Sequence, residues 1–172
     1  MTLDVRLATS ADVGAICAVC ETGYRFVTEP LLPRSLVEEK VAEFYHPARV
    51  AREVEPERFS RHWQGYLVAE LDGVVVGAAG GGMVADRVGQ LYVIYLDPDR
   101  RGAGIGTALL DAVTRQQVAL GAVRQRVAVL ADNGHGVPFY RARGFREVER
   151  RTYPPDAPDG IPELVMERPL AG

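Results

Sequence analysis

Arg101-Gly102-Ala103-Gly104-Ile105-Gly106 joins two segments of opposite character. Before it, residues 90–96 are apolar and β-branched, the pattern of a buried strand, and they stop at Asp97-Pro98. After it, Ile105, Ala108, Leu109, Ala112, Val113 and Leu120 recur at helical spacing over 104–120, and Gly121 follows as a helix-ending residue. A glycine-rich turn from strand to helix suits an anion. The first helical turn carries free N–H groups and the positive end of the helix dipole. Glycines let the backbone approach closely, so a phosphate or pyrophosphate is the natural ligand. Arg100 and Arg101 supply positive charge beside it.

Spacing narrows the choice of phosphate ligand. A P-loop needs Gly-Lys-Ser/Thr at its end, and no lysine follows Gly106. The dinucleotide fingerprint needs glycine or alanine where Thr107 stands. Arg101, Gly104 and Gly106 give instead R-x-x-G-x-G, preceded by Ile94-Tyr95-Leu96-Asp97-Pro98. Downstream come Asn133, Gly136, Phe139, Tyr140 and Gly144-Phe145. Together these resemble motif A and the N-x-x-A-x-x-F-Y…G-F element of the GNAT superfamily of N-acetyltransferases, with Gly136 replacing the usual alanine.

The resemblance implies a GNAT fold: an α/β domain on a mixed, mostly antiparallel sheet of six to seven strands, with helices on both faces. It implies acetyl-CoA as acyl donor. The backbone of Arg101, Gly102, Ala103, Gly104, Ile105, Gly106 and Thr107 would hold the pyrophosphate. Tyr95 and Leu96 would pair with the pantetheine arm like an added strand, and Asn133 would contact the same arm. Tyr140 would protonate the leaving thiolate, since a phenol with a pKa of about 10 keeps its proton at neutral pH. The implied reaction is direct acetyl transfer to a primary amine of a small molecule. Two alternatives stand beside it: a protein or peptide N-acetyltransferase, and a catalytically silent acyl-CoA-binding module.

The rest of the chain agrees with one α/β unit spanning 1–172. Leu3, Val5 and Leu7 alternate as in a strand, and Thr9 with Asp12 forms a capping box before a helix to about Phe26. Ser35 with Glu38 resembles a second box. Residues 65–71 and 74–80 form a hairpin about Asp72-Gly73. Further strands are expected at 126–131, 145–153 and 163–168, and a short helix at 137–143. Gly80-Gly81-Gly82-Met83-Val84-Ala85 satisfies G-x-G-x-x-A but opens no helix, and reads as a flexible strand end. The arginines of 141–151 read as a solvated face, with Arg141 or Arg143 as candidates for the cofactor's 3′-phosphate. Substrate choice is expected to rest on 24–63 and 154–162, where Tyr24, Phe26, Phe44, Tyr45, Phe59 and Trp63 supply either pocket or core.

The general base is the open position. Many members of the family place a glutamate early on the strand before the loop; here Gln90 stands there and cannot accept a proton at neutral pH. Glu21, Glu29, Asp86, His46 and His135 are the alternatives, together with an amine that arrives neutral.

Composition sets outer bounds. The chain has 172 residues, 47% hydrophobic and 25% charged, with a net charge of −3 and a pI of 5.7. No basic field suggests a nucleic-acid partner. No apolar run reaches the roughly 20 residues of a membrane span, and no basic-then-apolar leader opens the chain. A cytoplasmic protein, as a monomer or homodimer, is the expectation. Cys17 and Cys20 share an apolar helical stripe with Val13, Ile16 and Tyr24, so they read as packing residues rather than ligands, and no metal site is expected. Neither lies in the matched motifs, which favours direct transfer over an acyl-enzyme.

Overall fold

The Asp72-Gly73 turn joins β2 (Leu67–Leu71) to β3 (Val74–Ala85). Both turn residues have positive φ, 52° and 84°, the twist that a tight hairpin requires. This hairpin is the start of a seven-stranded sheet in a computed structural model that describes residues 2–171. The other strands are β1 (Leu3–Leu7), β4 (Val88–Leu96), β5 (Arg124–Leu130), β6 (Arg146–Tyr153) and β7 (Ile161–Pro169). Their order is β1-β2-β3-β4-β5-β7-β6. Only β4 and β5 run parallel; every other neighbouring pair is antiparallel.

Helices cover both faces. They are α1 (Val13–Thr28), α2 (Arg34–Phe44), α3 (Pro47–Glu53), α4 (Ile105–Ala119) and α5 (Gly136–Ala142). Side chains alternate across a strand, so adjacent residues serve opposite layers. Ala69 and Ala79 pack with Ile105, Leu109 and Val113 of α4. Val68 and Ala78 pack with Ile16, Val19 and Cys20 of α1 and with Val50 of α3. Cys17 and Cys20 are free thiols, and burial pushes both above the ordinary thiol value, as suits packing residues. Among the described residues no helix is long and apolar enough to cross a membrane.

Two local expectations are corrected. Ser35 does not cap α2: the N-cap is Pro33, with no side-chain bond, and Glu38 instead pairs with Arg25 at 2.7 Å. A proline already lacks the N–H that the start of a helix leaves unsatisfied, so the helix begins without a box. Gly80 to Gly82 are not a loose end either. They lie buried inside β3, and an added Cβ would come within 2.4 Å of the Trp63 ring at Gly80 and 2.1 Å of the His62 carbonyl at Gly82. Gly81 and Gly89 leave room for Gln117, which is fully buried on α4. Its Nε2 donates to the Gln90 carbonyl at 2.9 Å, and its Oε1 accepts from Gln125 Nε2 at 3.0 Å. This amide pair ties α4 to β4 and β5 where the two strands run together. Every buried amide so satisfied avoids a desolvation cost of about 1–3 kcal/mol.

The first capping box forms as expected. Thr9 Oγ1 accepts from Ala11 N at 3.3 Å and Asp12 Oδ2 accepts from Thr9 N at 2.8 Å. Asp12 also takes a bidentate pair from Arg6, at 2.8 and 2.9 Å, and Arg6 bonds Glu70 on β2. Arg6 and then Thr9 hold the Asp12 carboxyl below the usual carboxylate range, against the opposing effect of its burial. Asp12→Ala is expected to destabilise the protein by ~2 kcal/mol in urea denaturation at pH 7, less than for a fully buried pair because Arg6 is over a third exposed. A depressed carboxylate stabilises above its unfolded pKa of about 3.9 and loses that effect as pH falls through the lower folded value. The difference between wild type and variant should therefore be full at neutral pH and shrink only in strong acid. Equal urea midpoints at pH 7 would reject this role.

Candidate functional site

β4 and β5 pair only from Val88↔Arg124 to Leu91↔Val127. Beyond that point they diverge. β4 stays with β3, through Val93↔Gly80 to Leu96↔Gly77, while β5 stays with β7 as far as Leu130. A bulge lies at the point of divergence: Gly80 opposes Val93 and Gly81 opposes Leu91, leaving Tyr92 as the extra residue. Bulges bend the strand that carries them. The result is a wedge-shaped opening in the sheet whose two walls carry unpaired backbone, 92–96 on one side and 128–130 on the other. Parallel pairing is thus confined to the root, where the Gln117–Gln125 bond holds it.

The glycine loop sits at the mouth of this wedge. The first intrahelical bond of α4 runs from Ala108 N to Gly104 O at 3.0 Å, so the amides of 102–107 have no backbone acceptor among the described residues. Gly102 and Gly104 have φ of +85° and +79°, and open space where a Cβ would stand. They are glycine for conformation, and the space beside them remains free. Gly106 is glycine for room: a Cβ would come within 3.0 Å of the Phe139 ring. The loop is therefore a ring of free N–H donors at a helix N-terminus, with Arg101 beside it over the Phe26 ring at 5.0 Å.

α5 closes the opposite wall. Asn133 Oδ1 accepts from Gly136 N at 2.7 Å and His135 N at 3.1 Å, so this residue caps the helix. The same folded side chain explains Gly136, where a Cβ would meet Asn133 Nδ2 at 2.6 Å. One turn on, Tyr140 is buried, its ring against Phe139 at 5.3 Å and Phe145 at 5.4 Å. Burial pushes its phenol above the ordinary value. Arg143 is not free to meet a phosphate. It stacks on Phe139 at 3.7 Å, bonds Thr107 Oγ1 and donates to the Phe139 carbonyl at 2.8 Å, fixing α5 to the glycine loop.

A cavity of about 560 Å³ runs through the wedge. Tyr95, Leu96, Arg101, Gly106, Asn133 and Tyr140 line it together, although they come from five separate segments. Tyr24, Phe44, Tyr45 and Trp63 line it too, so these aromatic residues are pocket wall. Phe26 lies outside, tilted against His135 at 5.3 Å, and Phe59 fills the space over Gly65. Among the described residues no cluster of His, Cys, Asp or Glu can hold a metal ion.

The family model for the acetyltransferase (GNAT) family matches residues 34–145, well over half of the chain, including β4, the glycine loop, β5 and α5. The chain belongs to the GNAT family. Solved structures agree on the fold. The PaiA N-acetyltransferase of Thermoplasma acidophilum, a structure with coenzyme A bound, is similar at a TM-score of 0.82 and 19% identity, over 99% of this chain and 100% of that one. A GCN5-related N-acetyltransferase from Rhodopseudomonas palustris gives 0.77 and 22%, over 99% and 97%. The ribosomal-protein-S18-alanine N-acetyltransferase of Escherichia coli gives 0.68 and 20%, over 99% and 97%.

Within this GNAT chain the expected bases do not converge on the wedge. Gln90 pairs with Gly82 and Arg126 at the closed root of the parallel pair, below the cavity. Glu21 and Glu29 lie 3.7 Å from Arg25 on the outer side of α1. Asp86 sits in the exposed β3–β4 turn. His46 caps α3, its Nδ1 accepting from Ala48 N at 3.1 Å. Only His135 borders the cavity, from an exposed position.

One carboxylate that the sequence pattern concealed does reach the cavity. Glu53 ends α3 and lines the pocket; its side chain is partly exposed, and its Oε1 is buried without a hydrogen-bond partner. Arg49 Nε is 3.6 Å away, beyond hydrogen-bonding distance. Burial raises the Glu53 pKa, and its effect exceeds the opposing pull of Arg49. In sequence, Arg49 and Glu53 form an i,i+4 pair that looks like an ordinary solvated helix face. Glu163 also borders the cavity, but it is bound to Arg151 at 2.7 Å.

Proposed function

We propose that this GNAT chain transfers the acetyl group of acetyl-CoA directly to the primary amine of a small molecule. The observation that carries this reading is the set of free amides over 102–107 at the mouth of the wedge, with a protonated phenol, Tyr140, lining the same cavity. The amides suit the pyrophosphate. The unpaired edge of β4 at Tyr95 and Leu96 suits the pantetheine arm, which would pair with it as an added strand. Asn133, already capping α5 through Oδ1, has Nδ2 left for the same arm. Tyr140 would hand its proton to the sulfur as the C–S bond breaks.

A small acceptor is favoured over a polypeptide by the aromatic enclosure: Tyr24, Phe44, Tyr45 and Trp63 bound the cavity on the side of α1, α2 and α3. Much of the rate gain would come from holding amine and thioester together. The test is coenzyme A release, followed with a thiol reagent, across a panel of primary amines and short peptides with free N-termini. Small amines should raise release well above hydrolysis. Binding of acetyl-CoA with no amine-dependent release would reject transfer in favour of a silent binding module. A preference for peptides would replace the small acceptor with a protein.

A further inference from the structure

Glu53 is an anion in a poor setting. Its Oε1 is buried without a hydrogen-bond donor, 3.6 Å from Arg49 Nε, while the side chain as a whole is 24% exposed and lines the cavity beside aromatic residues. Trp63 is held there by its own bond, Nε1 to the Glu53 carbonyl at 2.9 Å. It packs edge-on to Tyr66 at 5.1 Å and stacks with Tyr92, the bulged residue of β4, at 6.4 Å. Among the described residues the cations facing the carboxylate are Arg49 and Arg52 of α3, and Arg49, 3.6 Å away through Nε, also lies over the Phe44 ring at 4.8 Å. From the other elements it meets neutral groups, the Cys17 and Cys20 thiols of α1 and the Tyr66 phenol just before β2. A carboxylate that burial destabilises more than Arg49 compensates can still gain from another cation. Aromatic faces around it attract organic cations in particular.

We propose that Glu53, with Phe44, Trp63, Tyr66 and Tyr92, forms the acceptor subsite, that it takes the ammonium group of an amine with an apolar or aromatic body, and that Glu53 removes the proton that blocks the nitrogen lone pair. This rests on the acetyl-transfer reading above for its chemistry, though not for its binding claim. The steps balance. The ammonium gives one proton to Glu53. The freed nitrogen forms a C–N bond with the thioester carbonyl carbon. The C–S bond breaks, the sulfur takes a proton from Tyr140, and the nitrogen's second proton restores the phenol. Glu53 then releases its proton to solvent, so one proton is liberated for each ammonium acetylated. Raised by burial, Glu53 is a stronger base than an exposed glutamate.

The test uses Trp63, the chain's single tryptophan, as its reporter. Wild type and Glu53→Gln, each saturated with coenzyme A, are titrated with 2-phenylethylamine and with neutral 2-phenylethanol, following tryptophan fluorescence. The variant should bind the ammonium about tenfold more weakly or worse, and the alcohol and acetyl-CoA equally well. In turnover, kcat/KM for the amine should fall about 100-fold, and the acid limb of the pH profile that Glu53 sets should disappear. The variant gives up only the 3.6 Å i,i+4 pair with Arg49, so it should fold with a nearly unchanged Tm.

Equal ammonium affinity in the two proteins overturns the subsite, as does an equal loss for amine and alcohol. Glu53-dependent ammonium binding without coenzyme A release by wild type supports the subsite and rejects acetyl transfer. Release unimpaired in Glu53→Gln supports transfer and rejects Glu53 as its base.

Discussion

Gly104→Val should lose acetyl-CoA binding by on the order of 100-fold or more, measured by calorimetric titration, while circular dichroism shows the fold intact. Gly104 is the N-cap of α4 at φ +79°, a conformation that costs an L-residue about 1–2 kcal/mol and a β-branched one more. The loop would relieve that strain by rotating away, and the amides of 102–107 would no longer converge. Each charge-assisted bond to a phosphate is worth about 1.5–3 kcal/mol, so losing two of them reaches ~3 kcal/mol, which is about 100-fold in affinity. The valine would also occupy space that is open beside the glycine, where an anion would sit. Gly104→Ala has the strain without the branch and should fall between the two. Ile105, the next residue, is part of the core, but Leu109 and Val113 hold α4 from its middle turns, so the fold should survive. Affinity retained in the valine variant would remove the loop as the pyrophosphate cradle.

How legible each part was depended on whether its meaning was local. The loop's function follows from residues adjacent in the chain, because a strand, a glycine turn and a helix N-terminus are all set within a few positions of Gly104. The hairpin at Asp72-Gly73 and the box at Thr9 and Asp12 were legible for the same reason. Tyr140 was legible only through its resemblance to a family pattern, since a buried tyrosine on a short helix is otherwise ordinary packing. Glu53 carried no signal, because its surroundings are made by α1 and the segment from Trp63 to Tyr66 meeting α3, and its sequence neighbour Arg49 disguises it as a surface pair. Gln90 misled in the opposite direction. Its place early on β4 suggested a base, yet the bulge at Tyr92 opens the sheet only after Leu91. The glycines of β3 misled likewise: their reason lies in Gln117 and Trp63, which come from other parts of the chain.

Tyr140→Phe should lower kcat about 100-fold with acetyl-CoA affinity nearly unchanged, in steady-state assays paired with calorimetry. General acids contribute roughly 10²–10⁴-fold, and the low end applies because a thiol with a pKa near 8.5 leaves with modest help. The substitution is clean. Burial alone moves this phenol, with no hydrogen bond contributing, so the ring can keep its contacts with Phe139 and Phe145 when the oxygen goes. Thermal stability should therefore hold, since the packing of the ring is kept. The sign of the pKa shift makes a second prediction. Raised above the ordinary value of about 10, Tyr140 stays protonated across the working range, so the variant's pH profile should keep its shape below about pH 10 and lose only height. A profile that lost a limb would mean that the phenol acts as a base. Unchanged kcat would mean that the thiolate leaves unaided and that Tyr140 only shapes the wall. Glu53→Gln should do the reverse, losing the acid limb and leaving thiolate departure untouched, so the two variants separate the two proton transfers.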